Sequence, residues 1–85
     1  MVQRSQTDVA DELLAFVRAE FLYGEDADEV TVDTPLLAYG ILNSLRTARL
    51  LAYAHRRFGL DTSRLAADPA ALASVRDLSR ALCLR

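Results

Sequence analysis

The sequence predicts an all-α protein, a bundle of four helices with a long first loop and a short third helix. Three observations predict it. Apolar residues recur at steps of three and four positions in separate segments, capping residues precede these segments, and glycine follows two of them. Apolar residues form 52% and charged residues 26% of the 85-residue chain, which is typical of a globular protein.

The first helix is predicted from about Asp8 to Tyr23. Either Ser5 together with Asp8, or Thr7 alone, caps its amino end, and Gly24 suits the left-handed residue that follows a last turn. The apolar stripe of this helix consists of Val9, Leu13, Phe16, Val17 and Phe21.

A long loop is predicted from Glu25 to Asn43, where the helical periodicity fails and Pro35 and Gly40 interrupt the chain. Loops longer than about 12 to 15 residues in compact domains are usually functional or disordered. This loop contains apolar residues, so we expect it to lie against the core. They are Leu36, Leu37, Ile41 and Leu42.

A second helix is predicted from Ser44 to Phe58, with Asn43 as its cap and Gly59 as its stop. Four arginines project from its other faces, and they either contact partners or are simply solvated. The predicted apolar seam consists of Leu50, Ala54 and Phe58, joined by Leu45 and Leu51. The arginines are Arg46, Arg49, Arg56 and Arg57.

Two helices are predicted in the remaining chain. Asp68 followed by Pro69 is typical of a cap and a first helical residue, which predicts a short third helix through Leu72. Ser74 is then the cap of a fourth helix. The apolar face of that fourth helix consists of Val75, Leu78 and Leu82.

Composition limits the function classes. We expect one domain over residues 1–85, with flexible ends at about 1–6 and 84–85, and a monomer. No apolar run reaches the ~18 residues that cross a bilayer, and the first residues do not resemble a secretory signal, so we expect a cytoplasmic protein without membrane contact. One cysteine, Cys83, and one histidine, His55, supply neither a disulfide nor a zinc site, so no metal is expected.

Charge is distributed unevenly although the net charge is only −2. Acidic residues dominate before Ile41, whereas after it arginines outnumber them, and the chain contains no lysine. One alternative function is therefore a nucleic-acid-binding domain with Ser44–Phe58 as a basic recognition helix. The acidic first half and a pI near 5.2 oppose it, so no nucleic-acid partner is expected. A protein-interaction bundle without cargo is a further alternative.

Ser44 is the chemically informative residue. A serine in the first turn of a helix lies in a field that favours a phosphate ester. His55 is about three turns further along the same helix and cannot reach it, so no catalytic triad forms there. We therefore expect no Ser-His catalysis at this serine.

The segment Thr34–Phe58 resembles the attachment site of acyl and peptidyl carrier proteins, which bind phosphopantetheine. Their Asp-Ser-Leu signature is matched by Asn43-Ser44-Leu45, and the preceding Pro35-Leu36-Leu37 and Gly40-Ile41-Leu42 have similar spacing. The likeness extends from about Val9 to Leu82. It implies the four-helix fold of acyl carrier proteins and a covalent 4'-phosphopantetheine on Ser44, added from coenzyme A by a phosphopantetheinyl transferase.

The resemblance also implies that partner enzymes perform the catalysis, so no catalytic residue and no enzymatic activity are expected in this chain. A loading enzyme, such as an adenylating enzyme or an acyltransferase, would place an aminoacyl or acyl group on the arm as a thioester, for delivery to synthase or tailoring enzymes. Asn43 stands where the family usually has Asp, and the second helix is basic where fatty-acid-type carriers are acidic. We therefore favour a stand-alone carrier of nonribosomal peptide or polyketide biosynthesis, with a fatty-acid-type carrier as the alternative.

The partner interface is expected around Ser44 and along the second helix. Its residues would meet acidic or apolar partner surfaces, since complementary charge steers encounter. The expected interface consists of Ile41, Leu42, Asn43, Leu45, Arg46, Arg49, Ala52 and Arg56.

Overall fold

The structure is a computed structural model that describes residues 5–22, 29–59 and 61–83. Within these ranges the chain forms helix α1 at Gln6–Phe21, helix α2 at Ser44–Phe58 and helix α3 at Val75–Cys83, with a short 3₁₀ turn at Leu65–Ala67. No helix in these ranges is long and apolar enough to cross a membrane. The ends expected to be flexible fall partly at residues 1–4 and 84–85, which lie outside the described residues.

Helix α1 begins as the polar residues before it predict. The Oγ of Ser5 accepts a hydrogen bond of 3.1 Å from the backbone N–H of Asp8, which identifies Ser5 rather than Thr7 as the cap. The helix ends at Phe21. The expected last residue Tyr23 and the expected stop Gly24 lie outside the described residues.

Helix α2 has the predicted bounds, and its seam residues Leu50 and Ala54 are fully buried. Gly59 ends it with a φ of 69°, a left-handed conformation that glycine adopts without steric cost, and donates its N–H to the carbonyl of His55. Leu45 was expected to join the seam and does not, since it is 70% exposed. It precedes Leu50 by five residues, which at about 100° per residue places it about 140° away around the helix.

The predicted short third helix is absent, so the described residues contain three α-helices rather than four. Asp68 starts one turn, in which its carbonyl accepts hydrogen bonds from the N–H groups of Ala71 and Leu72. The turn stops because the carbonyl of Ala73 accepts from Leu36 at 2.8 Å and Ser74 already caps α3. A single turn has too few hydrogen bonds to offset the cost of helix nucleation.

The core lies between the three helices and is closed by the loop that precedes α2. As expected, this loop packs inward, with Leu36 fully buried and Ile41 and Leu42 almost so, whereas Leu37 remains 40% exposed. The helices contribute the remaining fully buried leucines and valines. These are Leu13, Val17, Leu50, Val75 and Leu78, with Val9 and Leu82 at 1% exposure.

Two arginines hold the loop against the bundle from different helices. Arg18 of α1 donates from Nε and Nη2 to the carbonyl of Val30, at 3.0 and 2.5 Å. Arg76 of α3 forms a two-point ion pair with Asp33, and its backbone N–H donates to the carbonyl of Val32 at 2.8 Å. The start of the described loop is therefore fixed to both α1 and α3.

The Asp33–Arg76 pair predicts a dependence of stability on pH. The hydrogen bond and charge of Arg76 lower the pKa of Asp33 from its ordinary value. A lowered pKa in the folded state stabilises the protein above the unfolded pKa of about 3.9, and this contribution is lost as the pH falls through the folded pKa. We therefore expect Asp33→Asn to reduce the free energy of unfolding at neutral pH, and the gap to the wild type to close on acidification.

Urea denaturation of the wild type and Asp33→Asn between neutral and acidic pH measures this gap. Arg76→Gln is the matched variant, because both single changes remove the same pair and the double variant should cost little more than either one. A gap that stays constant as the pH falls would show that the pair contributes nothing to stability.

Candidate functional site

Ser44 is exposed and is the first residue of α2. The preceding Asn43 accepts two hydrogen bonds of 2.8 Å, at Oδ1 from the N–H of Arg46 and at its carbonyl from the N–H of Thr47. The first N–H groups of a helix have no partner within the helix, so those of Ser44 and Leu45 remain as donors at this end. The Ser44 hydroxyl therefore stands in solvent beside the positive end of a helix dipole.

The loop fixes this serine although the side chain itself is exposed. The N–H groups of Ile41 and Leu42 both donate to the carbonyl of Leu36, at 2.9 and 3.2 Å. Gly40, with a φ of 73°, reverses the chain just before them, in a conformation that a side chain rarely adopts. The residues just before Asn43 are thus anchored in the core.

Ile41 and Leu42, which are expected in the partner interface, are buried in the structure. They are 7% and 4% exposed and belong to the core. Two apolar residues beside a surface site could have faced either side, and the shared hydrogen bonds to Leu36 turn both inward. Their effect on the site is to hold the start of α2 in place.

An open groove of about 530 Å³ begins at Ser44. One end is polar, formed by Asn43, Ser44 and Thr47, and no ionisable side chain lines it. The far wall comes from the chain around the 3₁₀ turn, where the sequence indicated no functional residue. The apolar lining consists of Leu37, Ala48, Ala66, Ala67, Pro69 and Leu72.

The other residues of the expected interface have different surroundings. Leu45 and Ala52 are exposed, whereas Arg46 is half-buried. Arg46 donates to the carbonyl of Ile41 at 3.1 Å, and its guanidinium lies 5.4 Å from the centre of the Phe21 ring.

The more exposed arginines differ from one another. Arg49 forms an ion pair of 3.0 Å with Glu20 of α1, and Arg57 pairs with Glu12 at 2.7 Å. Arg56 is exposed and has no ion-pair partner among the described residues. The basic residues of α2 thus partly join the helices, a role that the sequence analysis did not identify.

The cap at Asn43 yields a testable prediction. Asn43→Ala should lower the free energy of unfolding by about 1 kcal/mol, because the N–H of Arg46 loses its acceptor at the helix start. For a domain of this size that corresponds to a fall in Tm of about 4 to 8 °C. Asn43→Asp is the matched control, since it keeps an acceptor oxygen and should leave Tm nearly unchanged. Equal losses in both variants would show that the cap is not responsible.

The site fits a phosphorylated, flexible group attached to a serine. The hydroxyl is reachable, the helix start favours a phosphate, and the adjoining groove has room for an apolar chain. The cap residue is a neutral amide rather than a carboxylate, so it adds no negative charge beside a phosphate. No residue that lines the groove beside Ser44 carries an ionisable side chain that could act as a general base.

Comparison with known families agrees with this geometry. Residues 12–82, which include Ser44, match the family described as the phosphopantetheine attachment site. A comparison with curated proteins gave no match. Domains of this family bear 4'-phosphopantetheine covalently on a serine, generally act as non-catalytic tethers, and interact with a phosphopantetheinyl transferase and synthase enzymes. The chain belongs to the phosphopantetheine attachment-site family and functions as a phosphopantetheine carrier.

Proposed function

We propose that Ser44 is the residue that bears the 4'-phosphopantetheine. The observation that carries this proposal is an exposed hydroxyl at the first residue of α2, at the mouth of an apolar groove. When bound, the group supplies a terminal thiol that holds an acyl group as a thioester. The N–H groups of Ser44 and Leu45 would be the helix-start donors for the phosphate, and Asn43 caps this end of α2.

The direct test is intact-mass analysis after incubation with coenzyme A and a phosphopantetheinyl transferase of broad specificity. One phosphopantetheine per chain is the expected result. A chain that folds but gains no mass, under conditions that convert a known carrier completely, would refute the proposal.

We further propose that the cargo is an aminoacyl or related acyl group of nonribosomal peptide or polyketide biosynthesis, carried in the cytoplasm. Supporting this choice, Arg49 and Arg56 are exposed on α2, where fatty-acid-type carriers typically display carboxylates. The loading partner would be an adenylating enzyme or an acyltransferase, and synthase or tailoring enzymes would receive the cargo. Catalysis takes place in these partners.

The cargo can be identified from protein purified out of the native cells. Hydroxylamine cleaves a thioester and releases the acyl group as a hydroxamate, whose mass identifies it. An amino-acid, aryl-acid or short malonyl-derived hydroxamate is expected. Long-chain fatty hydroxamates alone would contradict the proposal and favour the fatty-acid-type alternative.

The interface that partners use is proposed to surround Ser44 on the exposed side of α2. Leu45 is its most exposed apolar side chain, at 70%, and follows the attachment residue directly. The remaining members are Asn43, Arg46, Arg49, Ala52 and Arg56, all exposed except the half-buried Arg46.

A further inference from the structure

A second groove, separate from the one at Ser44, lies between α1 and α2. It has a volume of about 430 Å³, and its lining consists of Phe16, Glu20, Arg49, Ala52 and Arg56. The ring of Phe16 stacks on Tyr53 with 4.2 Å between the ring centres, so the apolar part of the groove is held in place by packing. We name it the α1/α2 groove.

The α2 side of this groove continues to the attachment residue. Leu45, Arg49, Ala52 and Arg56 follow one another at steps of four, three and four residues, the spacing of one helical face. Leu45 is next to Ser44 in the chain. A partner segment lying along this face would therefore reach the neighbourhood of Ser44, while the groove at Ser44 is lined by Thr47 and Ala48 instead.

The charges of the α1/α2 groove are unbalanced. Two guanidinium groups, of Arg49 and Arg56, face one carboxylate, that of Glu20. Arg49 and Arg56 are seven residues apart, which is a rise of about 10.5 Å along the helix. The small Ala52 lies between them in the chain and lines the groove together with Phe16, so the groove has apolar surface as well as charge.

Glu20 already pairs with one of the two arginines, Arg49. Its ion pair with Arg49 is 3.0 Å long, and the two side chains remain 44% and 50% exposed. Exposed pairs of this kind contribute little to stability, so another carboxylate can replace Glu20 at small cost. The guanidinium of Arg49 also lies 5.8 Å from the centre of the Phe21 ring, a contact that does not depend on Glu20.

We propose that the α1/α2 groove binds an acidic amphipathic helix of a partner protein, and that Glu20 competes with it. One carboxylate of that helix replaces Glu20 on Arg49, a second binds Arg56, and an apolar side chain between them packs on Phe16 and Ala52. This deepens the proposed carrier function and rests on it for the identity of the partner as an enzyme of the same pathway. The two guanidinium groups select an acidic partner, and their seven-residue spacing fits two carboxylates seven residues apart on a helix.

The test uses a synthetic probe and the unmodified full-length chain. The probe is an acetylated and amidated helical peptide of about 20 residues with two glutamates spaced seven positions apart and a leucine midway. Titration into the ¹⁵N-labelled protein should shift the amide signals of the residues that line the α1/α2 groove. A probe with glutamine in place of both glutamates should bind at least tenfold more weakly. Shifts that are absent, or that lie elsewhere, overturn the proposal.

The competition by Glu20 has its own matched control. Glu20→Gln should tighten binding of the acidic probe about two- to fivefold, because a competing carboxylate is removed. Glu12→Gln removes the same charge and an ion pair with Arg57 from the same helix, outside the groove lining, and should have a clearly smaller effect. Arg56→Gln should weaken binding. Equal effects of Glu20→Gln and Glu12→Gln would show that the gain in affinity comes from net charge alone, and would overturn the proposed competition by Glu20.

This experiment separates the inference from the function on which it rests. The probe titration requires no phosphopantetheine, and Ser44→Ala should bind the probe as the wild type does. A negative titration therefore overturns the inference and leaves attachment at Ser44 standing. A chain that binds the probe but accepts no phosphopantetheine refutes the carrier function instead.

Discussion

Ser44→Ala is expected to abolish phosphopantetheine attachment completely, with no residual adduct after prolonged incubation with coenzyme A and a transferase. The change removes the exposed hydroxyl at the first residue of α2, while Asn43 continues to cap the helix through its own side chain. Alanine has the best helix propensity, so the fold should be retained. Intact-mass analysis measures the adduct, and circular dichroism with thermal melting verifies folding.

Ser63→Ala is the control for loss of an exposed serine. Ser63 lies in the turn before the 3₁₀ turn, where its backbone N–H, rather than its hydroxyl, donates to Asp61. It should accept the adduct as readily as the wild type. An adduct that persists in folded Ser44→Ala, or that disappears in Ser63→Ala, would assign the attachment to another residue.

Leu50→Ala is expected to have the largest effect on stability, a loss of about 2 to 5 kcal/mol in the free energy of unfolding. Leu50 is fully buried between the helices, so truncation removes apolar contacts and leaves a cavity that the surrounding side chains fill only in part. Small domains are stable by only about 5 to 15 kcal/mol. Urea denaturation at 25 °C measures the difference.

Leu45→Ala is the matched substitution on the same helix. Leu45 is 70% exposed, so its replacement should change the free energy of unfolding by no more than about 0.5 kcal/mol. Its expected effect is instead on partner binding, because it lies beside Ser44. Similar losses for both leucines would contradict the burial pattern of α2.

Local signals explain which parts of the fold could be predicted. The bounds of α2 could be predicted because Asn43 caps its start with its side chain and Gly59 ends it with a left-handed backbone. Both effects act within a few residues. The position of Ser44 at its start was therefore predictable. The prediction of a short third helix was wrong because Asp68 and Pro69 specify how a turn begins but not whether it continues. The N–H of Leu36, which is distant in sequence, donates to the carbonyl of Ala73.

Long-range contacts explain what the sequence could not reveal. The pairing of Arg49 with Glu20 joins residues 29 positions apart, and that of Arg76 with Asp33 joins residues 43 apart. Nothing local distinguishes such an arginine from a solvated one. The groove at Ser44 was likewise hidden, because its walls come from the loop, α2 and the chain around the 3₁₀ turn.

The same arrangement meets two requirements of a carrier. The proposed attachment residue, Ser44, must be held in a definite place for recognition, and the anchored residues Ile41 and Leu42 provide that. The end of the attached group must also extend away from the protein to reach several partners. An exposed first residue of a helix beside an open groove allows the group either to lie in the groove or to extend into solvent. The anchored backbone of Ile41 and Leu42 and the exposed hydroxyl of Ser44 lie within three residues of each other in the chain.

The central claim is that the hydroxyl of Ser44 bears the phosphopantetheine, and locating the added mass tests it most directly. Fragmentation of the intact modified wild-type chain in a mass spectrometer compares fragments that end before Ser44 with those that include it. We predict that every fragment containing Ser44 bears the added mass and that every fragment lacking it does not. Added mass on fragments without Ser44 would contradict the account.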